Sequence, residues 1–211
     1  MDKENLQNEI ENYIHYYYGI KKWFDLYKYI KENSEIYPKE TQQIAYFLKP
    51  ILVSLLNSTL LDMSKILDCR NQKNINKLIE TCIANVKLFC NNPDNIKEKN
   101  EKLRLFKELK EEIGKNTSVI ENLKTYRDVH LAHTDKKYFM DSKKLFEEYK
   151  TTYEDIEKVL NLIINSLNKL LSCLCQTTYA FDTQYKDSYK YILECIKECR
   201  ENRLKKYKKK E

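Results

Sequence analysis

Residues 152–174 read TYEDIEKVLNLIINSLNKLLSCL, and this stretch carries the clearest folding signal in the chain. Its apolar residues recur at intervals of three and four, the spacing that places one continuous apolar stripe along a helix. Thr152 and Asp155, three residues apart, precede the stripe and resemble a helix-capping pair. The stretch therefore predicts a long amphipathic helix whose apolar face packs into a core. That face consists of Ile156, Val159, Leu160, Ile163, Leu167, Leu170, Leu171 and Leu174.

The same periodicity extends over most of the chain on either side of this helix. Only two glycines and three prolines occur in 211 residues, so few positions permit the tight turns that join many short strands. These features predict an all-α antiparallel bundle of about six helices in a single domain. Further helices are expected at residues 5–32, 44–67, 74–89 and 103–114, and from residues 118 and 183 onward.

Local signals predict where several helices begin or end. Pro50 lacks a backbone donor, so a break is expected near Lys49. Asn74 is a candidate N-cap, and Ser118 with Glu121 three residues later forms a candidate capping box. These signals set the expected start of the third and fifth helices.

Positive charge is concentrated at the C-terminus. The net charge is +6, and residues 200–211 contain seven Lys or Arg against two Glu, which leaves about one positive charge for the rest. The basic terminal helix is a candidate for binding RNA phosphates, and a solvated, frayed terminus is an equal alternative. The candidate RNA-binding residues are Arg200, Arg203, Lys205, Lys206, Lys208, Lys209 and Lys210.

The seven cysteines and the lack of a secretory leader favour reduced thiols in a cytoplasmic protein. No cysteine pair has the two-residue spacing of a zinc knuckle, so we expect buried free thiols, no metal and no cofactor. No uninterrupted apolar run approaches the length of about 20 residues that a membrane helix needs. We therefore expect no membrane span.

The residues best suited to catalysis lie in the segment YRDVHLAHTD, residues 126–135. The chain has three histidines, and His130 and His133 fall within six residues of Arg127. His15, among the tyrosines of the first helix, is expected to be structural. Histidine can move protons near neutral pH, and arginine can hold the charge that gathers on a phosphate during RNA cleavage. Asp128 adds a carboxylate to the same segment.

Helix geometry bears on which histidine could work with Arg127. At about 100° per residue, Arg127 and His133 lie about 120° apart around an unbroken helix, whereas Arg127 and His130 share nearly one face. A bend, a helix end near Ala132 or a second subunit must bring Arg127 and His133 together. His130 therefore remains an alternative for proton transfer.

The arrangement of Arg127, the polar Asp128 and His133 resembles the signature of HEPN ribonucleases. LNSTLLDMSKILD at residues 56–68 and YRDVHLAHTDKKY at residues 126–138 resemble the abortive-infection U-type (AbiU2-like) branch, over about residues 45–175. The resemblance implies a HEPN-like core flanked by the aromatic helix at 5–32 and a basic extension at 183–211. It further implies a homodimer whose paired Arg and His residues cut tRNA or mRNA without a metal, in a toxin or antiphage system that can include a cognate antitoxin.

Simpler interpretations of the same residues remain open. Arg127 could pair with Asp128 or Glu121 on a solvated surface, and His133 could interact with a helix C-terminus. The chain would then be a non-catalytic module that binds RNA or protein, such as a regulatory or antitoxin-like subunit, or a helical scaffold that only oligomerises.

Overall fold

A computed structural model describes residues 1–128, 152–180 and 188–208, and every regular element within these ranges is helical. The α-helices are α1 (Lys3–Ile36), α2 (Pro38–Gln43), α3 (Ala45–Leu67), α4 (Ile75–Ala84), α5 (Ile96–Lys115), α6 (Thr117–Arg127), α7 (Tyr153–Cys175) and α8 (Ser188–Lys208). A 3-10 helix (Val86–Phe89) follows α4. The prediction of an all-α fold is confirmed.

Two of the predicted helix starts are confirmed by their hydrogen bonds. The Asn74 side chain accepts a bond from the backbone N–H of Lys77 at 3.0 Å, as an N-cap does. Thr152 Oγ1 accepts from the Asp155 N–H at 3.1 Å, while Asp155 Oδ2 accepts from the Thr152 N–H at 2.9 Å. The capping box ahead of α7 is therefore complete.

The capping box predicted at Ser118 is wrong. The backbone N–H of Asn116 still bonds to the Ile113 carbonyl at the end of α5, and α6 begins at once with Thr117. The Thr117 hydroxyl donates to the Gly114 carbonyl at 2.6 Å, and no side chain caps the start of α6. The chain passes so directly from α5 to α6 that Ser118 already lies inside the helix.

The break predicted near Lys49 is also wrong. The interruption falls at Ile44, between α2 and α3, where φ is −112° and ψ is 14°. Pro50 lies inside α3 in its second turn. A proline there removes a single backbone donor, the one directed at the Tyr46 carbonyl, and the helix continues past it.

Several helix bounds also differ from the predictions, since α1 extends to Ile36 beyond the predicted 32 and α5 begins at Ile96 before the predicted 103. The third helix was expected to reach Phe89, but α4 ends at Ala84, where the Asn85 side chain donates to the Thr81 carbonyl at 2.9 Å. A frayed terminus is one of the two alternatives predicted for residues 200–211; α8 is helical through Lys208, and residues 209–211 lie outside the described residues.

The residues group into two compact units, of which the larger comprises residues 1–20 and 60–180. Its core includes Leu160, Leu167 and Leu171 of α7, all with 0% of their surface exposed. Phe106 of α5 is equally buried, and its ring meets that of Phe89 edge-on with centroids 4.8 Å apart. The apolar stripe of α7 therefore lies in this core, as its periodicity predicts.

The smaller unit comprises residues 21–59 and 181–211. Its buried cluster contains Tyr27, Ile30, Leu48, Leu55, Tyr189 and Leu193. Beside the cluster, the hydroxyl oxygens of Ser34 and Tyr189 lie 3.2 Å apart. The grouping does not test the prediction of a single domain, which remains a prediction.

Helix α3 is long and apolar enough to cross a membrane by length and composition alone, with a mean hydropathy of 1.2. No other helix among the described residues meets both conditions. Of the most apolar stretch of α3, 39% is buried inside the protein.

Candidate functional site

Helix α6 places Arg127 at its C-terminal end. Ile120, Leu123 and Tyr126 form its buried side, and the helix packs against α5 and α7. Tyr126 is buried in this packing, and its burial, with a smaller contribution from Tyr153, raises the pKa of Tyr126 to about 12. A neutral, buried tyrosine thus anchors the turn that carries Arg127.

The Arg127 side chain is mostly covered and engages the adjacent carboxylate. Its Nε donates to Asp128 Oδ1 at 2.7 Å, and a terminal guanidinium nitrogen contacts the same oxygen. The Arg127 side chain is 14% exposed and the Asp128 side chain 47%. This is the neighbouring ion pair that the simpler interpretation of Arg127 anticipated. The pair also fixes the orientation of the guanidinium.

A second carboxylate, Asp68, lies at the end of α3 and gathers two cations. Its Oδ1 and Oδ2 accept bonds from Nε and a terminal nitrogen of Arg70 at 3.1 and 2.9 Å, and Oδ1 also accepts from the Arg70 backbone at 3.1 Å. Lys124 Nζ lies 3.5 Å from Asp68 Oδ1. Asp68 is therefore held between the turn after α3 and the helix that carries Arg127.

The charges of this cluster act on one another. The side-chain bonds from Arg70 hold the pKa of the Asp68 carboxyl well below its usual range, against the opposing effect of burial, with Lys124 adding to the lowering. The pKa of Arg70 is raised chiefly by Asp68, and Asp128 contributes to that rise. Asp68 and Asp128 therefore both belong to the electrostatic surroundings of Arg70.

Asp68, Arg70 and Lys124 are not among the site residues predicted from the sequence. A signal for Lys124 exists, since it precedes Arg127 by three residues and so shares its helix face. Asp68 closes the LNSTLLDMSKILD segment on which the resemblance partly rests. Nothing in the sequence indicates that the two segments meet, because that contact depends on how α3 and α6 pack.

The two candidate histidines, His130 and His133, lie outside the described residues. Of the predicted catalytic residues, the structure thus describes Arg127 and Asp128, and it brings these two together. His15 is exposed on α1, and its ring lies edge-on to that of Tyr179 at a centroid distance of 6.3 Å, so its structural role stays a prediction.

The basic tail residues lie on or beyond α8. Arg200 contacts Glu40, with 2.9 Å between a terminal guanidinium nitrogen and Oε1. Arg203 and Lys205 are exposed. Lys206 and Lys208 belong to α8 by their backbone, and Lys209 and Lys210 lie outside the described residues. Of the predicted RNA-binding set, Arg200 is therefore already engaged by a carboxylate.

The cysteines are all unpaired thiols, as predicted, but their burial varies. Cys82 is buried, whereas Cys69 and Cys199 are exposed and the other four are partly covered, so the expectation of buried thiols fits Cys82 alone. Burial raises the pKa of Cys82 to about 12. Within the described ranges, no group of three or more His, Cys, Asp or Glu side chains could hold a metal ion.

Comparison with known proteins identifies the family. The model of the AbiU2 family of HEPN domains (HEPN_AbiU2) matches residues 3–194, a longer stretch than the 45–175 over which the resemblance was recognised. No curated protein and no solved structure matches the chain. Because the match spans most of the 211 residues, the chain belongs to the AbiU2 family of HEPN domains, a module associated with abortive infection.

Proposed function

We propose that this protein is a metal-independent endoribonuclease of an antiphage or toxin system, and that Arg127 and His133 carry out the cleavage. The observation that carries the proposal is the position of Arg127. Its guanidinium, held by Asp128, stands at the start of the segment that contains both candidate histidines. Lys124 precedes it on the same face of α6 and contacts Asp68, which also binds Arg70. Family membership supports the same assignment.

The proposed reaction uses the substrate's own 2′-hydroxyl as the nucleophile. A histidine removes the proton of that hydroxyl while its oxygen forms a bond to phosphorus. The bond from phosphorus to the 5′-oxygen breaks, and this oxygen takes a proton from a protonated histidine of the cleft as it leaves. The products are a 2′,3′-cyclic phosphate and a 5′-hydroxyl, so atoms and charge balance without an added cofactor.

Each proposed residue has a distinct role in this reaction. His133 transfers protons, with His130 as the alternative, and such catalysis contributes roughly 10²–10⁴-fold. Arg127 binds the non-bridging phosphate oxygens and stabilises the charge that builds on them. Asp128 orients the guanidinium and keeps it from turning into solvent. In this proposal a second copy of the chain completes the cleft. Arg127 of one copy then lies close to His133 of the other, although the two residues do not share a face of one unbroken helix.

Cleavage of mixed RNA by the purified full chain in EDTA tests the proposal. We expect products that end in a 2′,3′-cyclic phosphate, and a loss of about 10²-fold or more for His133→Ala and for Arg127→Ala. His130→Ala shows which histidine moves the proton. Arg104→Gln is a matched control, because Arg104 is an exposed arginine on α5 that pairs with a neighbouring surface carboxylate, Glu108.

Two outcomes would contradict the nuclease. One is no cleavage by the wild-type chain. The other is cleavage at the wild-type rate by both His133→Ala and His130→Ala. A monomer in sedimentation at micromolar concentration would argue against the shared cleft specifically.

The pairing of Arg127 with Asp128 favours one second candidate function. An arginine whose guanidinium is occupied by an ion pair with the adjacent carboxylate is consistent with a non-catalytic HEPN module. Such a module would bind RNA or protein as a regulatory or antitoxin-like subunit. This alternative predicts no nuclease activity together with partner binding that Arg127→Ala leaves intact. Loss of binding in that variant would count against it.

A further inference from the structure

Three cations and two carboxylates meet where the end of α3 approaches the end of α6. Lys124 and Arg127 lie on one face of α6, and Asp68 connects Lys124 to Arg70. Asp128 pairs with Arg127 and contributes to the charge environment of Arg70. The five side chains together carry one net positive charge, so the cluster is able to accept a further anion.

We propose that Arg70 and Lys124, positioned by Asp68, form a second phosphate-binding subsite that holds a backbone phosphate of single-stranded RNA next to the phosphate bound by Arg127. The inference rests on the proposed function and extends it from one phosphate to the path of the RNA strand. It assigns Asp68 as a positioning residue, since Asp68 acts through the two cations and not on the substrate.

The geometry of Arg70 suits this role. Its side chain is 74% exposed, and two of the five guanidinium N–H groups are directed at Asp68. The bidentate contact holds the guanidinium plane in one orientation and leaves its remaining donors on the solvent side. A phosphate can therefore bind Arg70 without displacing Asp68.

Lys124 is placed differently from an ordinary surface lysine. Its side chain is 21% exposed, and its ammonium lies 3.5 Å from Asp68. This distance is longer than that of a strong hydrogen bond, so a phosphate could bind the ammonium more closely than Asp68 does. It precedes Arg127 by one turn of α6, about 5 Å along the helix axis. That offset is of the same order as the spacing of successive phosphates in a nucleic acid strand.

A purely structural role for Asp68 is the competing explanation. Asp68 also helps close the turn after α3, where the Asn71 N–H bonds to its carbonyl at 2.9 Å. Under that explanation Arg70 and Lys124 would stabilise the turn without touching RNA. The two explanations differ in the salt dependence of RNA binding, because only a cation in contact with phosphate releases a counterion from the strand.

The decisive measurement is the affinity for a short single-stranded RNA with methylated 2′-hydroxyls, which cannot be cleaved by the proposed route. It is measured by fluorescence anisotropy over a series of salt concentrations. We expect Arg70→Gln and Lys124→Gln each to reduce the slope of log affinity against log salt by about 0.7, the value for one phosphate contact on a single strand. Arg70→Lys retains the charge and should restore most of the slope. The control Arg104→Gln should leave the slope unchanged.

The subsite is refuted if the wild-type chain does not bind the methylated RNA, or if the double variant Arg70→Gln/Lys124→Gln melts like the wild type and keeps its slope. A reduced slope for Arg70→Gln that Arg70→Lys fails to restore, accompanied by a lowered melting temperature in both variants, would also overturn it, because loss of the turn after α3 would then explain the weaker binding. Cleavage in EDTA with an unchanged slope removes the subsite alone. Altered slopes without any cleavage remove the nuclease alone.

Discussion

The ion pair between Glu40 of α2 and Arg200 of α8 gives a sharp test of how the smaller unit is held together. The Glu40 side chain is 5% exposed and that of Arg200 28%, with 2.9 Å between their charged atoms. The contact is not ideal, because Glu40 Oε1, Thr41 Oγ1 and Arg200 Nε are buried without a hydrogen-bond partner in the described part of the chain. The attraction therefore has to offset incomplete hydrogen bonding.

The structure sets the size and the asymmetry of the effect. Removing one partner of a fully buried pair costs about 3–5 kcal/mol, and the exposure of Arg200 lowers that range here. Arg200→Gln leaves a buried carboxylate without its cation, so we expect a loss of about 2 kcal/mol in the free energy of unfolding. Glu40→Gln leaves a guanidinium that water can reach, so about 1 kcal/mol is expected. The double variant should lose about 2 kcal/mol, less than the sum of the two single losses.

Urea unfolding followed by far-ultraviolet circular dichroism measures these losses. Hydrogen exchange should show the increased opening in α2 and α8. Lys190→Gln is the matched control, since Lys190 belongs to an exposed pair with Glu194 on the same helix and is expected to lose less than about 0.5 kcal/mol. The reasoning fails if Arg200→Gln is as stable as the wild type but binds RNA more weakly. Arg200 would then be a phosphate contact and not an anchor of α8.

Two further predictions concern the larger unit. Thr152→Ala removes half of the capping box ahead of α7 and should lower the free energy of unfolding by about 1 kcal/mol, whereas Ser118→Ala, which caps nothing, should change it by less than half as much in the same urea titration. The raised pKa of Cys82, about 12, keeps its thiol protonated from neutral pH to well above pH 9, so this residue should resist a thiol-specific reagent that labels the exposed Cys69 in the native protein. Mass spectrometry of the labelled peptides checks this, and rapid labelling of Cys82 in the folded state would contradict the packing of α4.

Local patterns in the sequence are sufficient to predict that this chain is helical and that the apolar stripe of α7 is buried. The stripe of α7 and the caps at Asn74 and Thr152 depend on interactions between residues a few positions apart. Such local interactions can be recognised in the amino-acid sequence. The local signals that failed did so because neighbouring segments competed with them. Ser118 lost its capping role because α5 runs almost directly into α6.

The surroundings of Arg127 depend on how distant segments of the chain pack together. The motif at residues 126–135 indicated the chemistry, but the contact of Asp68 with Lys124 joins residues 56 positions apart in the chain, and no periodicity encodes such a pairing. The same holds for Glu40 and Arg200, since a lysine-rich and arginine-rich tail gives no sign of which cation will meet a buried carboxylate. Side-chain periodicity fixes which face of a helix is buried, whereas the electrostatics of a site depend on which helices pack together.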